Sequence, residues 1–192
     1  MQIAWCIWIT GLPGSGKSVV AEALHKFLAQ KGIQAQVLAS DAFRKILTPE
    51  PRYSLRERNR VYATIVYVAK LLAQNDVNVI IDATGNLERY RDSAREQIPN
   101  FMEVYLECPL KVCIEREARR KDTHLAPRKI YEKALKGEAP TVPGIGQPYQ
   151  PPKNPEVTID TTKHTPEQAA RKILKLIIRR HPQNSQNHTD VG

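Results

Sequence analysis

The stretch Gly11-Leu12-Pro13-Gly14-Ser15-Gly16-Lys17-Ser18 decides the fold of this chain. A glycine, four further residues and then Gly-Lys-Ser is the spacing of a phosphate-binding loop. Glycines let the backbone fold tightly, so that its N–H groups point inward at phosphate oxygens, and the next helix adds partial positive charge at its N-terminus. An apolar run over residues 3–10 precedes the loop, and Val20, Leu24 and Leu28 follow it at helical spacing. The pattern predicts a strand, a phosphate-binding loop and a helix in direct succession.

Each part of this loop has a predicted role. We expect Lys17 to reach the β- and γ-phosphates of a nucleoside triphosphate and Ser18 to offer its hydroxyl to Mg²⁺. The backbone of the other loop residues is expected to cradle the phosphates; these residues are Gly11, Leu12, Pro13, Gly14, Ser15 and Gly16. The sequence has no Asn-Lys-x-Asp guanine-reading motif and is shorter than a typical oligomeric ATPase module. These observations favour a small kinase that uses ATP and Mg²⁺.

Apolar strand patterns alternate with helical patterns along the rest of the chain. Predicted strands cover residues 3–10, 34–39, 77–81, 104–106 and 156–160, and predicted helices cover residues 18–31, 56–74, 88–97, 110–120 and 166–180. Residues 121–155, rich in proline and glycine, are expected to be irregular. Such alternation implies crossover connections. The predicted fold is therefore α/β, a P-loop kinase fold with a parallel sheet flanked by helices on both faces. We expect a single domain over residues 1–180 and a mobile tail over residues 181–192.

Charge and composition limit the partners. The chain has 29 Lys and Arg residues against 20 Asp and Glu residues, a net charge of +9, which suits an anionic partner or a solvated basic surface. No aromatic stacking platform is visible, so a small-molecule substrate is favoured over a nucleic acid. Cys6, Cys108 and Cys113 form no CxxC pair and are expected to be reduced packing residues. The first apolar run lacks a basic leader, and no run reaches the length of a membrane span, so a cytoplasmic location is expected.

Two carboxylates are candidates for the chemistry. Asp41 follows the second predicted strand and Asp82 follows the third, where a doubly wound sheet delivers side chains to its ligand crevice. Either could accept the proton of an attacking hydroxyl or help to hold Mg²⁺. The alternative for each is structural: Asp41 would cap a helix beginning near Ala42, and Asp82 would cap a helix after Asn86. The residues alone do not rank the two acids.

Cationic side chains beyond the loop form a further group. Small P-loop kinases need arginines that neutralise the charge developing during phosphoryl transfer and a lid that excludes water. The residues from 116 to 128 lead into the Pro/Gly-rich segment, as a lid would, and we expect Arg120 to contact ATP. The whole group comprises Arg44, Arg58, Arg116, Arg119, Arg120, Lys121 and Arg128.

Motifs over most of the chain resemble those of adenylylsulfate kinases. The similar segments are Ile7-Trp8-Ile9-Thr10-Gly11, Asp41-x-x-Arg44, Tyr53-Ser54-x-x-Glu57-Arg58, Phe101-Met102-Glu103-Val104-Tyr105-Leu106-Glu107-Cys108-Pro109-Leu110, residues 130–138 (IYEKALKGE) and residues 143–156 (PGIGQPYQPPKNPE). The late segments are the specific part, since many kinases share a phosphate loop and an arginine.

The resemblance implies a reaction and a set of site residues. The family transfers the γ-phosphoryl group of ATP to the 3′-hydroxyl of adenosine 5′-phosphosulfate (APS), a step of sulfate assimilation. Asp41 would match the second acid of the family's Asp-Gly-Asp, and Arg44 and Arg58 would bind the phosphosulfate or the ribose. Lys136 and Ile145 would line the pocket for the adenylyl group. The oligomeric state is left open, a homodimer included.

The chain departs from the family pattern on the acceptor side. Ala39 stands where the family has the first acid of Asp-Gly-Asp, and Asp82-Ala83-Thr84 stands where the family has Ile-Ser-Pro. The remaining departures are Val61, Thr64 and Gly146. Asp82-Ala83-Thr84-Gly85-Asn86 resembles instead the equivalent stretch of P-loop kinases that phosphorylate other hydroxyls. APS is therefore the favoured acceptor, and another small-molecule or nucleic-acid hydroxyl is the alternative.

Overall fold

The computed structural model describes residues 4–120 and 127–182. Lys121 of the predicted lid group and residues 183–192 of the predicted tail lie outside these ranges. The strands are β1 (Cys6–Thr10), β2 (Ala35–Ala39), β3 (Asn78–Asp82), β4 (Phe101–Glu107) and β5 (Val157–Asp160). The helices are α1 (Lys17–Ala29), α2 (Ser40–Leu47), α3 (Leu55–Gln74), α4 (Glu88–Gln97), α5 (Leu110–Arg119), α6 (Ile130–Leu135) and α7 (Pro166–Arg180).

The strands form one parallel sheet in the order β2-β3-β1-β4-β5. The central strand, β1, runs into the phosphate loop, and β3 lies beside it. Asp82, the last residue of β3, is the Cα partner of Ile9 on one side and of Ala39 on the other. The carboxyl ends of β1, β2 and β3 therefore meet at one edge of the sheet, where ligands bind in open α/β folds.

Both faces of the sheet are covered by helices, because alternate residues of each buried strand point to opposite sides. One core cluster joins Ile7 and Ile80 to apolar residues of α1 and α7, including Leu24 and Ile173. A second core cluster joins Trp8 and other strand residues to α3 and α4. The predicted α/β class, with helices on both faces of a parallel sheet, is confirmed.

A third, smaller cluster lies under the late part of the chain, where the sequence predicted only irregular structure. Cys108, Cys113, Tyr131, Ala134 and Val142 are its buried members. Tyr131 and Ala134 belong to α6, a helix of six residues, so the expectation of wholly irregular structure over residues 121–155 is wrong at α6. Its apolar contacts stabilise the helix, since so short a segment is not stable alone.

The capping roles considered for the two acids are also wrong. The N-cap of α2 is Ala39, and Asp41 is the second residue of the helix. The N-cap of α4 is Leu87, and Asp82 lies five residues earlier, inside β3. Neither carboxylate is therefore the N-cap of a helix, although Asp41 lies in the first turn of α2.

Two further expectations concern the cysteines and the absence of membrane-spanning helices. All three cysteines are buried and free of disulfide bonds, as expected of packing residues. Within residues 4–120 and 127–182, none of the helices combines the length and apolar composition that a bilayer crossing needs.

Candidate active site

The phosphate loop connects β1 to α1 through a tight turn. The Ser15 N–H donates to the Leu12 carbonyl at 3.0 Å. Gly14 has φ +81, and a Cβ there would lie 2.5 Å from the Cys113 carbonyl oxygen, so only glycine fits. The N-cap of α1, Gly16, supplies no side-chain acceptor, and this leaves the first N–H groups of the helix for an anion.

Two polar side chains within the loop have the environment that a phosphate site requires. The buried Ser15 Oγ has no hydrogen-bond partner among the described residues. The Lys17 Nζ donates to the carbonyl oxygens of Gly11 at 3.1 Å and Leu12 at 3.0 Å. Burial lowers the pKa of Lys17, whereas the negative charges of Asp82 and Asp41 raise it. The ammonium is thus held over the loop beside two carboxylates.

A cavity of about 790 Å³ opens in front of this loop. It is large enough for a drug-sized ligand or a nucleotide. Ten of the residues predicted for the site line it: Pro13, Gly14, Gly16, Lys17, Ser18, Asp41, Arg44, Arg58, Asp82 and Arg120. The structure therefore brings the predicted phosphate loop, both candidate acids and three of the predicted arginines to one place.

The two acids reach the cavity from neighbouring elements. Asp41 lies in the first turn of α2, directly after β2, and Asp82 ends β3. Asp82 and Ala39 are Cα partners across the β2–β3 pair, so their side chains lie on the same face of the sheet. Asp82 is consequently paired in register with Ala39, the position where the resembled family has its first acid.

Arg44 lines the cavity from α2 and has an incomplete set of partners. Its guanidinium lies 5.2 Å from the ring centroid of Tyr53 and 5.9 Å from that of Tyr62. The side chain is buried, and its Nη1 has no hydrogen-bond partner among the described residues. A buried cation with an unused donor suits an anionic ligand group, because burying an unpaired charge is costly.

Arg58 lines the same cavity from α3. Its Nε donates to the Tyr53 carbonyl at 3.2 Å, and its Nη2 donates to the Thr141 carbonyl. Burial lowers the pKa of Arg58, and Tyr62 raises it. Arg58 thus joins the segment before α3 to the segment after α6, and both segments form walls of the cavity.

The remaining predicted site residues that the structure describes do not line the cavity, although three of them belong to the phosphate loop. Gly11, Leu12, Ser15, Lys136 and Ile145 are not among the described residues that line the cavity. The Lys136 Nζ, directly after α6, pairs with Glu132 Oε1 at 2.8 Å, and both side chains are largely exposed. Ile145 packs at the margin of the third apolar cluster. In the lid group, Arg116 donates to Thr161, and Arg119 and Arg128 are exposed.

No individual role was predicted from the sequence for several residues that line the cavity. They are Tyr53, Tyr62, Thr84, Glu117, Glu138 and Val142. Tyr62 falls on the apolar stripe of α3 and resembles an ordinary core residue in the sequence. Tyr53 has φ +52, an uncommon conformation for a bulky residue, which only the fold reveals.

Known proteins share both the sequence and the fold. The sequence model of the adenylylsulphate kinase family matches residues 3–160. A probable adenylyl-sulfate kinase of Pyrococcus abyssi is 36% identical over 169 residues, which cover 88% of this chain and 92% of that protein. The adenylyl-sulfate kinase of Halothermothrix orenii is 35% identical over 171 residues, 89% of this chain and 88% of that protein.

Solved structures agree with these relatives. An APS kinase of Mycobacterium tuberculosis, in complex with AMPPNP and APS, superposes with a TM-score of 0.81 at 32% identity, over 92% of this chain and 99% of that chain. A gluconokinase of Sinorhizobium meliloti, at 22% identity and a TM-score of 0.63, shares the fold alone. With a family match over most of its length and relatives above 30% identity, the chain belongs to the adenylylsulphate kinase family.

Proposed function

We propose that this chain transfers the γ-phosphoryl group of ATP to the 3′-hydroxyl of APS, giving ADP and 3′-phosphoadenosine 5′-phosphosulfate. The observation that carries the proposal is the single cavity lined by both the phosphate loop and two buried arginines, in a chain of the adenylylsulphate kinase family. Such a cavity can accept two anionic substrates at once, which in-line transfer between them requires.

The donor side is assigned to the phosphate loop and α1. The loop N–H groups and the N-terminus of α1 bind the phosphates of ATP. Lys17, already held over the loop by two carbonyl oxygens, stabilises the charge that develops on the transferred group. Arg120, which also lines the cavity, is assigned to the ATP side.

The proton of the attacking hydroxyl goes to a carboxylate. The 3′-oxygen forms its bond to the γ-phosphorus, the bond from that phosphorus to the β-bridging oxygen breaks, and ADP leaves. Asp41 and Asp82 are the acids that line the cavity beside Lys17. The family's Asp-Gly-Asp has its first acid at the position of Ala39, and Asp82 adjoins that position. We therefore assign the role of the first acid to Asp82 and the role of the second acid to Asp41.

Mg²⁺ fits this set of donors. Ser18 and the two acids line the cavity, whereas no cluster of three or more His, Cys, Asp or Glu side chains suited to a metal is found within residues 4–120 and 127–182. In phosphate-binding sites Mg²⁺ usually has only one or two protein ligands, because phosphate oxygens and water supply the rest. Mg²⁺ bound in this way would neutralise phosphate charge. Ser18 would hold it, with Asp41 or Asp82 acting directly or through water.

The acceptor side is assigned to Arg44, Arg58 and Tyr53. The free Nη1 of Arg44 is the donor best placed to meet a phosphosulfate oxygen, because it is buried and unused by the described residues. The Tyr53 ring, which packs against that guanidinium, offers an apolar surface to the adenine. Arg58 holds the wall behind them.

A coupled assay of ADP release tests the proposal. With Mg²⁺ and ATP present, APS should stimulate ADP release by the wild-type chain, with saturation. Failure of APS to stimulate release over a broad concentration range would refute APS as the acceptor.

A second candidate is a kinase for another hydroxyl on this fold. The observation that favours it is the placement of Asp82, an acid absent from the resembled family's pattern, in the cavity. The same assay with gluconate, shikimate and a 5′-hydroxyl oligonucleotide separates the candidates. Stimulation by one of these compounds without stimulation by APS would establish the second.

A further inference from the structure

The loop after β3, Ala83–Asn86, is fixed by side chains from separate elements. The Trp8 Nε1 donates to the Ala83 carbonyl at 2.9 Å, and the Thr10 Oγ1 donates to the Thr84 carbonyl at 2.6 Å. The Gly85 N–H donates to the Tyr62 hydroxyl at 3.1 Å. Gly85 has φ +48, and a Cβ there would lie 2.8 Å from the Trp8 ring. This 83–86 loop is therefore held in one conformation by β1 and α3.

A second segment, residues 148–150, lies across this loop as a strap. The Gln150 N–H donates to the Asn86 carbonyl at 2.8 Å, and the Asn86 Nδ2 donates to the Pro148 carbonyl at 3.0 Å. The Tyr149 hydroxyl lies 3.0 Å from the Thr10 Oγ1. The 148–150 strap thus contacts the 83–86 loop and the last residue before the phosphate loop.

One guanidinium joins the loop to the strap. Arg91 of α4 is 1% exposed. Its Nη1 donates to the Gly85 carbonyl, its Nη2 donates to the Gln150 carbonyl at 2.6 Å, and its Nε pairs with Glu103 Oε1 at 2.5 Å. Glu103 belongs to β4, so the buried charge is neutralised by the sheet itself. The two other hydrogen bonds of Arg91 are made to backbone carbonyls of the loop and the strap, and its guanidinium also lies 5.9 Å from the ring centroid of Tyr149.

Both segments continue directly into walls of the cavity. Asp82 and Thr84 line the cavity at the start of the 83–86 loop. Upstream of the strap, the Gly144 N–H donates to the Gln147 carbonyl at 2.8 Å, and Thr141, Val142 and Pro143 line the cavity beyond that turn. A shift of the Arg91 guanidinium would therefore move two walls of the cavity together, although Arg91 itself does not line the cavity.

We propose that Arg91 is a positioning residue for the acceptor side of the site, acting through the Gly85 and Gln150 carbonyls to fix the 83–86 loop relative to the 148–150 strap. The proposal rests on the proposed phosphoryl transfer to APS. Lysine cannot replace arginine here, because three acceptors in different directions require the planar fork of a guanidinium. Arg91 acts on two segments that continue into the walls of the cavity, so its loss should affect the binding and turnover of the acceptor more than the binding of ATP.

The test compares Arg91→Lys with Arg95→Lys. Arg95 lies one turn further along α4 and pairs with Glu103 and Glu156, so it shares the ionic network but contacts neither the loop nor the strap. For Arg91→Lys, kcat/KM for APS should fall about 10- to 100-fold, as expected of a slight misplacement of reacting groups. The dissociation constant for ATP, measured without acceptor, should stay at the wild-type value, and Arg95→Lys should match the wild type in both quantities.

A milder variant and a substrate-free measurement keep the test decisive if Arg91→Lys folds poorly. Tyr149→Phe removes only the hydroxyl that meets Thr10, and it should lower kcat/KM for APS in the same direction by a smaller factor. Hydrogen exchange of amides in residues 83–86 and 148–150 should be faster in Arg91→Lys than in Arg95→Lys, with α1 amides unchanged.

The possible failures are distinguishable. If the wild type shows no APS-dependent ADP release, the proposed function fails, while the exchange measurement still decides whether Arg91 fixes the loop and the strap. If the wild type is active and folded Arg91→Lys and Tyr149→Phe keep its kinetic constants, the positioning role is overturned. A loss of ATP affinity equal to the loss for APS would also overturn it.

Discussion

At the residue scale, Lys17 shows how the site balances charge. Burial lowers the pKa of Lys17 and so disfavours its ammonium, and the carbonyl oxygens of Gly11 and Leu12 together with Asp82 and Asp41 offset part of that cost. A bound phosphate would add a further favourable charge. The ammonium is thus held in the place where negative charge develops during transfer.

The first prediction concerns this lysine. Lys17→Ala should lower kcat by about 100-fold or more, because a preorganised cation is lost from the transition state. Its melting temperature should stay near that of the wild type, since removing the buried ammonium also removes its desolvation cost. Steady-state kinetics and circular dichroism check both points. Lys26→Ala, on the exposed side of α1, is the matched control. A Lys17→Ala variant with wild-type kcat would contradict the assignment.

The second prediction concerns the two acids. Removing a general base typically costs 10²- to 10⁴-fold in rate, so at least one of Asp41→Asn and Asp82→Asn should lose about 100-fold or more in kcat. Asp76→Asn, which changes an exposed acid before β3, is the control. The measurement is kcat at saturating ATP and APS. Near-normal kcat in both variants would mean that proton transfer depends on neither carboxylate.

Individual residues differ in how far the sequence predicts them. The phosphate loop follows from its spacing, because the chemistry of that loop is local to eight residues. Arg91 gave no such signal: two of its acceptors, Gly85 and Gln150, lie 6 and 59 residues away, and only the fold brings them together. The position of Asp82 beside Ala39 likewise depends on strand register.

At the element scale, α6 connects the late segment to the phosphate loop. Tyr131 of α6 is fully buried, and its hydroxyl donates to the Pro13 carbonyl at 2.9 Å. This hydrogen bond and the close approach of Gly14 to the Cys113 carbonyl of α5 hold the phosphate loop against α5 and α6. The helix therefore supports the donor site although it supplies few groups to the cavity.

The third prediction follows from that contact. Tyr131→Phe should lower the free energy of unfolding by about 1 kcal/mol, the usual net value of a hydrogen bond. It should also weaken ATP binding, because the Pro13 carbonyl loses the donor that positions it. Calorimetry of unfolding and of ATP binding tests the pair of effects, with the exposed Tyr67→Phe as control. Unchanged ATP affinity would confine Tyr131 to a packing role.

The fourth prediction concerns pH and the end of α7. Burial, together with Arg180, lowers the pKa of His181 from its ordinary value of 6.5. The unfolded chain then binds a proton more readily at this residue. His181 therefore costs no stability well above pH 6.5 and lowers the free energy of unfolding as the pH drops towards its folded-state pKa. His181→Gln should reduce the loss of unfolding free energy between about pH 7 and pH 5.

Urea denaturation of both proteins between about pH 5 and pH 7 measures how the free energy of unfolding changes with pH. His25→Gln, on the exposed face of α1, should leave the pH dependence as in the wild type. A His181→Gln variant with an unchanged pH dependence would contradict the assignment of the slope to His181.

Elements with strong periodicity were predicted closely. The expected helices over residues 88–97 and 166–180 coincide with α4 and α7, and α3 begins one residue earlier than expected. One exception, α6, follows Lys129 in a left-handed conformation and owes its stability to Tyr131 and Ala134 in the third cluster. Such stabilisation by distant contacts cannot be inferred from local propensity.

At the scale of the whole molecule, the parallel sheet explains why the site forms where it does. Three neighbouring strands end at one edge, and the phosphate loop, Asp41 and Asp82 follow β1, β2 and β3 there. The sheet class was predictable from alternation alone. The wall that faces this edge comes from residues 138–143 and was not predictable, because it is anchored by contacts such as Arg58 with Thr141, 83 residues apart.

The fifth prediction identifies the product, which tests the central claim most directly. Wild-type protein is incubated with Mg²⁺, APS and ATP labelled in the γ-phosphoryl group, and the nucleotides are separated and examined by mass spectrometry and NMR. The account predicts the label on the 3′-oxygen of adenosine 5′-phosphosulfate, with an equal amount of ADP, and transfer by Lys17→Ala that is slower by about 100-fold or more. Label found only in residual ATP or in inorganic phosphate would contradict it.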